Sequence, residues 1–280
     1  MKRLLSVLII ALCVQASLAQ IDTSKVIQVT FDEDLAHDPL VLVYHSMGDV
    51  NVQGHENNDV FVYAQELLPS AEFLFNRNNQ EAFYAFVNER TGSIRKMNRS
   101  KNFLITQEDH VVRISTDLFS LNTNVFVLVP EPTSVAVNVA HQGNISIEGI
   151  AGNVEANTDF GSINMTDVEG SILANTKTGQ VVADFSNTGL QRPIYLSSFV
   201  GNIEVIVPQD TKHNLALHTE LGKLYTNFNQ NNELAAAQVA AQRPRERNRI
   251  TFALNGGTLG AGTDFVVKTI KGDIYLRHNE

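Results

Sequence analysis

Between residues 143 and 187 apolar and polar positions alternate under a strict period of nine. Each period opens on a glycine: Gly143, Gly152, Gly161, Gly170 and Gly179. The third and fifth positions are apolar in all five: Ile145 and Ile147, Val154 and Ala156, Ile163 and Met165, Ile172 and Ala174, Val181 and Ala183. Alternation with period two places each pair on one face of a β-strand. Ser146, Glu155 and Asn164 between them fit a solvated face. Leu173 and Val182 break that pattern and are expected to sit under a neighbouring segment. Glycine suits the turn, where the backbone takes a positive φ or approaches its neighbour closely. A fixed short period marks a repeat architecture.

A second period of eighteen runs through the first: residues 154–158 (VEANT) match 172–176 (ILANT). Two segments then form one coil, and every second strand stacks on its like about 4.8 Å away. The expected fold is all-β, a β-solenoid or β-helix-like stack of short glycine-led strands. Asn157 should fall in register with Asn175, and Thr158 with Thr176. Two readings of the asparagines stand: amides paired between coils or capping turns, and a ligand-binding stripe.

The same grammar appears outside the strict repeat. Residues 40–44 (LVLVY), 48–54 (GDVNVQG) and 60–64 (VFVYA) read as an N-terminal strand pair feeding the stack. Residues 66–75 suit a short helix over Phe83, Phe86 and Val87. Strands are expected at 111–114 and 125–129. Val129-Pro130 and Val207-Pro208 introduce further strands, and a proline there marks a corner or an edge. Residues 233–242 (ELAAAQVAAQ) are helix-prone, and together with the arginine-rich 243–249 they read as an insertion over 229–250. Arg243, Arg245, Arg247 and Arg249 form a candidate docking site for an acidic partner; the alternative is a solvated loop. The segments 265–269 and 272–276 are expected to cap the stack.

The amino terminus places Lys2 and Arg3 before an apolar run from Leu4 to Val14 and a Ser17-Leu18-Ala19 cleavage pattern, which reads as a secretory signal peptide over 1–19. Residues 20–37 are a lead-in, and 38–280 one β-repeat domain. The run is too short for a transmembrane helix. Cys13, the single cysteine, follows Leu12 and not the small residue a lipoprotein signal needs, so it reads as part of the leader. A mature chain without thiols has no disulfide, cysteine nucleophile or thiolate metal site, and fits the periplasm or cell surface of a Gram-negative bacterium. The net charge of −9 argues against nucleic acid and anionic membranes, and losing Lys2 and Arg3 makes it −11. Tryptophan, a common sugar-binding platform, is absent.

From Leu40 to Leu276 the chain resembles the bacterial putative-adhesin family. The resemblance rests on the opening 48–54, the Val-Pro lead-ins at 129 and 207, the tandem segments from 143 to 185, residues 201–205 (GNIEV) and the closing 268–276 (KTIKGDIYL). It implies an exported, β-solenoid-like protein of the envelope, with no catalytic or binding residues to carry over and no account of 233–249.

No nucleophile elbow, zincin motif or phosphate-binding glycine loop occurs. The nonapeptides lack the double glycine and fixed aspartate of calcium-binding β-rolls. His45 and His55, with Asp49 and Asp59 near them, are a metal-site candidate against a default of turn-exposed histidines. His213 and His218 are five apart, on opposite faces of a strand. Asp32, Glu33 and Asp34 are a carboxylate candidate for glycoside hydrolysis, against a default of solvated charge in the lead-in. The Asn98, Asn144 and Asn164 sequons carry no glycosylation message in a bacterium. No catalytic, cofactor-binding or metal residue is assigned. The expected function is a non-enzymatic exported binding or scaffold protein for an envelope, glycan or protein ligand. The alternatives are a polysaccharide-active β-helix enzyme and a ligand-free structural or envelope-stress protein. Open strand edges at the ends of the stack allow self-association.

Overall fold

The apolar third and fifth positions of every repeat are buried, from Ile145 and Ile147 through Val181 and Ala183. This is the period-two burial that selects strand over helix. The structure, a computed structural model, describes residues 26–31, 38–66, 96–99, 103–116, 123–186, 192–208, 214–228, 234–237, 249–254 and 265–278. Among these residues all regular structure is β, in one sheet of ten strands and one of twelve. The apolar faces of both sheets fill one continuous core. Each fully buried Val or Ile contributes roughly 1.5–3 kcal/mol.

Successive repeats alternate between the sheets. Ile145–Ile150, Ile163–Val168 and Val181–Asp184 lie side by side in the ten-stranded sheet. Val154–Phe160 and Ile172–Thr178 do so in the twelve-stranded sheet. The pairing is parallel, with Ile145 opposite Ile163 and Ile163 opposite Val181, so the register is the expected eighteen. Asn157 pairs with Asn175 and Thr158 with Thr176, as the sequence predicts.

Polar side chains tie neighbouring parallel strands together at the glycine corners. Asn144 Oδ1 accepts the Ser162 backbone N–H at 2.8 Å, and Asn153 Oδ1 accepts that of Ser171 at 3.0 Å. Ser162 Oγ likewise accepts the Gln180 N–H at 3.2 Å, so the polar residues after Gly143, Gly152 and Gly161 each receive the amide eighteen residues on. A second ladder meets the corners of Gly143, Gly161 and Gly179 themselves. The buried hydroxyls of Thr158, Thr176 and Ser198 donate to the carbonyls of Gly143, Gly161 and Gly179 at 3.0, 2.9 and 2.9 Å. Thr269 and Thr219 continue it to Gly201 and Gly272. These five hydroxyls are tolerated in the core row because each has a partner.

The structure corrects the placement of both ends. Leu40–His45 and Val50–His55 are not paired with each other. They lie in opposite sheets, slotted in parallel between strands from 111–130 and strands from 134–150. The closing strands Phe265–Lys271 and Ile274–His278 do not cap the stack. They insert beside Ile194–Val200 and Ile203–Val207, leaving Asn214–Thr219 and Leu224–Thr226 farther out. Antiparallel strands finish the twelve-stranded sheet at both margins, Lys96–Arg99 at one and Leu234–Ala237 at the other. Leu234–Ala237 is therefore strand where alanine content predicts helix, because pairing with Arg249–Leu254 overrides a weak intrinsic preference. The leader, residues 20–25 and the acidic run 32–34 lie outside the described residues, as do 67–75 of the helix expected at 66–75; Glu66 itself ends the strand Asp59–Glu66.

His45 is buried at 2% exposure, not turn-exposed as the default reading has it. Its Nδ1 lies 2.8 Å from Thr116 Oγ1, and Nε2 has no hydrogen-bond partner among the described residues. Burial holds the imidazole below its usual 6.5, against opposing contributions from the Thr123 and Met47 backbones and the Asp49 charge. A base with a lowered folded pKa takes its proton more readily in the unfolded chain. Stability is therefore full above pH 6.5 and falls as pH drops below it towards the folded value. One such group contributes a slope of at most about 1.4 kcal/mol per pH unit. The difference in urea-unfolding free energy between wild type and His45→Gln should shrink as pH falls from 7 to 5. A pH-independent difference would contradict a buried neutral imidazole.

Candidate functional site

The alternation that buries one row of each strand exposes the next. On the twelve-stranded sheet the outward row is built from matching positions of adjacent strands. Asn138, Asn157, Asn175, Ser197 and Lys268 stand side by side in register. They form the floor of a shallow groove of about 410 Å³. At a strand spacing of about 4.8 Å, five positions span roughly 19 Å across the strands.

The floor is ordered before any ligand arrives. Ser197 Oγ donates to Asn175 Oδ1 at 2.5 Å, Asn175 Nδ2 to Asn157 Oδ1 at 2.9 Å, and Asn157 Nδ2 to Glu155 Oε1 at 2.9 Å. All three bonds run in one direction, so the amide orientations are mutually fixed. Each of the two asparagines spends one N–H and one acceptor site on the ladder. Each keeps a second N–H and further lone pairs. The expected pairing of amides between coils and the expected stripe are thus the same residues.

The walls are mixed. Lys177 Nζ reaches Asp159 Oδ2 at 2.6 Å, an exposed ion pair worth about 0–1 kcal/mol that joins two adjacent strands. Phe199 is 58% exposed and Tyr195 is 37% exposed. Leu173 is exposed too and lines an adjoining apolar hollow with Ala136, Tyr195 and Val266; it does not lie under a neighbouring segment. The groove offers fixed hydrogen-bonding groups, two aromatic edges and one ion pair. Such a set can exchange hydrogen bonds with a ligand and cover an apolar face of it.

The other sequence candidates do not converge on it. Arg243, Arg245 and Arg247 lie outside the described residues, and Arg249 opens the strand Arg249–Leu254. Asp32, Glu33, Asp34 and His213 also lie outside them. His55 is spent locally: its Nδ1 accepts the Asn57 N–H at 3.0 Å, and Nε2 lies 2.9 Å from the Asp59 carbonyl. No group of three or more His, Cys, Asp or Glu side chains converges among the described residues. No helix there is long and apolar enough to cross a membrane. Sequence reasoning found Asn157 and Asn175 but not Asn138, Ser197, Lys268, Tyr195 and Phe199. The signal for Asn138 was present, because the alternation in 135–139 points it outward.

A scan against protein-family models and a search of curated proteins find no match. Among solved structures the chain is similar to a "putative cell adhesion protein" from Clostridium sporogenes, with a TM-score of 0.47 and 13% identity over 91% of this chain and 99% of that one. It is also similar to a "putative adhesin" from Bacteroides fragilis, with a TM-score of 0.38 and 10% identity over 91% of this chain and 96% of that one.

Proposed function

We propose that this chain is a non-enzymatic, exported binding or scaffold protein of the bacterial envelope, and that its body is a β-solenoid presenting the groove-bearing sheet to a ligand. The observation that carries the reading is the groove floor: a directed amide–hydroxyl ladder held in place by the fold and left open to solvent. Preordered polar groups lower the cost of ordering on binding. The eighteen-residue parallel register across both sheets supports the solenoid. The leader pattern at 1–19 supports export, with 20–37 as lead-in and 38–280 as the repeat domain. Within that domain 229–250 is an insertion whose arginines are a second docking candidate.

The polysaccharide-active alternative needs convergent acids beside a bound chain. In the groove Asp159 is paired with Lys177, and Glu155 accepts from Asn157. Those pairings favour binding over hydrolysis.

Location tests the reading. Fractionation of the native cells should put the chain, shortened by its leader, among exported proteins, and protease added to intact cells should digest it. A pool protected inside the periplasm would remove the adhesive role and direct the search to envelope partners. A cytoplasmic pool of full-length chain would overturn the proposal.

A further inference from the structure

We infer that the groove on the twelve-stranded sheet binds an uncharged linear glycan lying across the strands. The inference rests on reading this face as the ligand surface, and adds the chemical class of the ligand.

Three features of the groove select that class. The first is the kind of polar group on the floor. Asn157 and Asn175 each retain a free N–H donor and a free acceptor after the ladder bonds, side by side on successive coils. A sugar hydroxyl is both donor and acceptor, so a row of such amides meets a row of hydroxyls with both functions matched. A peptide strand would look instead for unpaired backbone N–H and C=O groups. On this face the floor strands spend theirs on neighbours to either side, so strand addition is closed here.

The second feature is the aromatic edge. Phe199 and Tyr195 stand beside the polar floor with their rings exposed. The apolar face of a pyranose ring covers such a surface while its hydroxyls point to the amides. Tryptophan is absent from this chain, and these two rings supply that function in the groove.

The third feature is charge. Asp159 and Lys177 neutralise each other at 2.6 Å, and the one further charge in the lining, Lys268, is offset by Glu155, which lines the adjoining hollow and accepts from Asn157. A groove with no net charge on a chain of −9 does not select an anion. Length follows from the repeat, since a floor of roughly 19 Å takes an oligosaccharide, not a single ring.

The test is native affinity electrophoresis of the chain without its leader, through gels carrying soluble neutral polysaccharides (a β-glucan, a mannan, a xylan, a galactan) or acidic ones (alginate, polygalacturonate). Wild type is expected to be retarded by at least one neutral polymer. Asn175→Ala and Phe199→Ala should each weaken that retardation by tenfold or more. Asn164→Ala, on the outer face of the other sheet, should leave it unchanged. Phe199 is exposed enough that its variant should keep the wild-type melting temperature, so a folding defect in Asn175→Ala would not decide the matter. Retardation indifferent to both groove variants would overturn the inference. So would retardation by acidic polymers alone that Lys268→Met abolishes. If no polymer retards the chain while cell binding is lost in Phe199→Ala, the glycan class is wrong and the binding face stands. If cell binding is missing as well, both fail.

Discussion

Replacing Gly161 by alanine is expected to cost more than about 4 kcal/mol, a loss few single substitutions reach. A Cβ built on Gly161 would overlap the carbonyl oxygen of Gly143 on the preceding coil, with the Asn144 backbone nitrogen 3.1 Å away. Both neighbours are backbone, so no side chain can swing aside. The neighbouring strands would have to separate, and separation disturbs the parallel registers on either side, Ile145 with Ile163 and Ile163 with Val181. It also disturbs the bond from Thr176 to the Gly161 carbonyl. Against a total stability of roughly 5–15 kcal/mol, such a loss leaves little folded protein. Gly149 is the control. Its φ of +67° favours glycine, but the nearest atoms to an added Cβ are 3.9 Å away. Gly149→Ala should therefore cost only about 1–2 kcal/mol, the penalty of the left-handed backbone alone. Urea-unfolding midpoints compare the two. A Gly161→Ala variant as stable as Gly149→Ala would mean that the coils do not approach as closely as described.

The same contacts show why the repeat was legible in the sequence. A glycine every nine residues is a steric requirement at each corner, and the polar residue after Gly143, Gly152 and Gly161 accepts an amide from the neighbouring strand. Both recur at fixed spacing because the repeats are equal in length, so the pattern reveals the eighteen-residue register and the Asn157–Asn175 pairing directly. Where coil length varies, the signal disappears. Asn175 is followed in its ladder by Ser197 at a separation of 22, and Ser197 by Lys268, much farther along. No local period marks those two as neighbours, and the groove was half visible for that reason.

The order of coils was hidden by the same physics. Val50 pairs with both Val125 and Ile145, contacts that depend on which strand is free to be covered and not on the residues near Val50. Residues 40–55 and 265–278 carry ordinary stack grammar, and nothing in that grammar says that they insert between coils. Leu234–Ala237 failed for a different reason. Alanine favours helix by tenths of a kcal/mol per residue, and a strand partner at 249–254 outweighs that. His45 was misplaced because it precedes a glycine turn in sequence, while the chain folds it inward against Thr116.

If the groove face is the working surface, covering it should abolish binding, and covering the opposite face should not. Residue 13 is the only cysteine, so the chain without its leader offers no thiol of its own. Phe199→Cys places one thiol at the groove wall, at a position 58% exposed, and Asn164→Cys places one on the exposed outer row of the ten-stranded sheet. Each can be capped with a bulky polyethylene-glycol maleimide. Binding of the capped proteins to an isolated cell-envelope fraction is then measured by co-sedimentation against their uncapped forms. Capping at position 199 is predicted to remove binding by tenfold or more, and capping at 164 to leave it within twofold. Binding unaffected by the cap at 199, or lost only with the cap at 164, would contradict the assignment of the groove as the binding face.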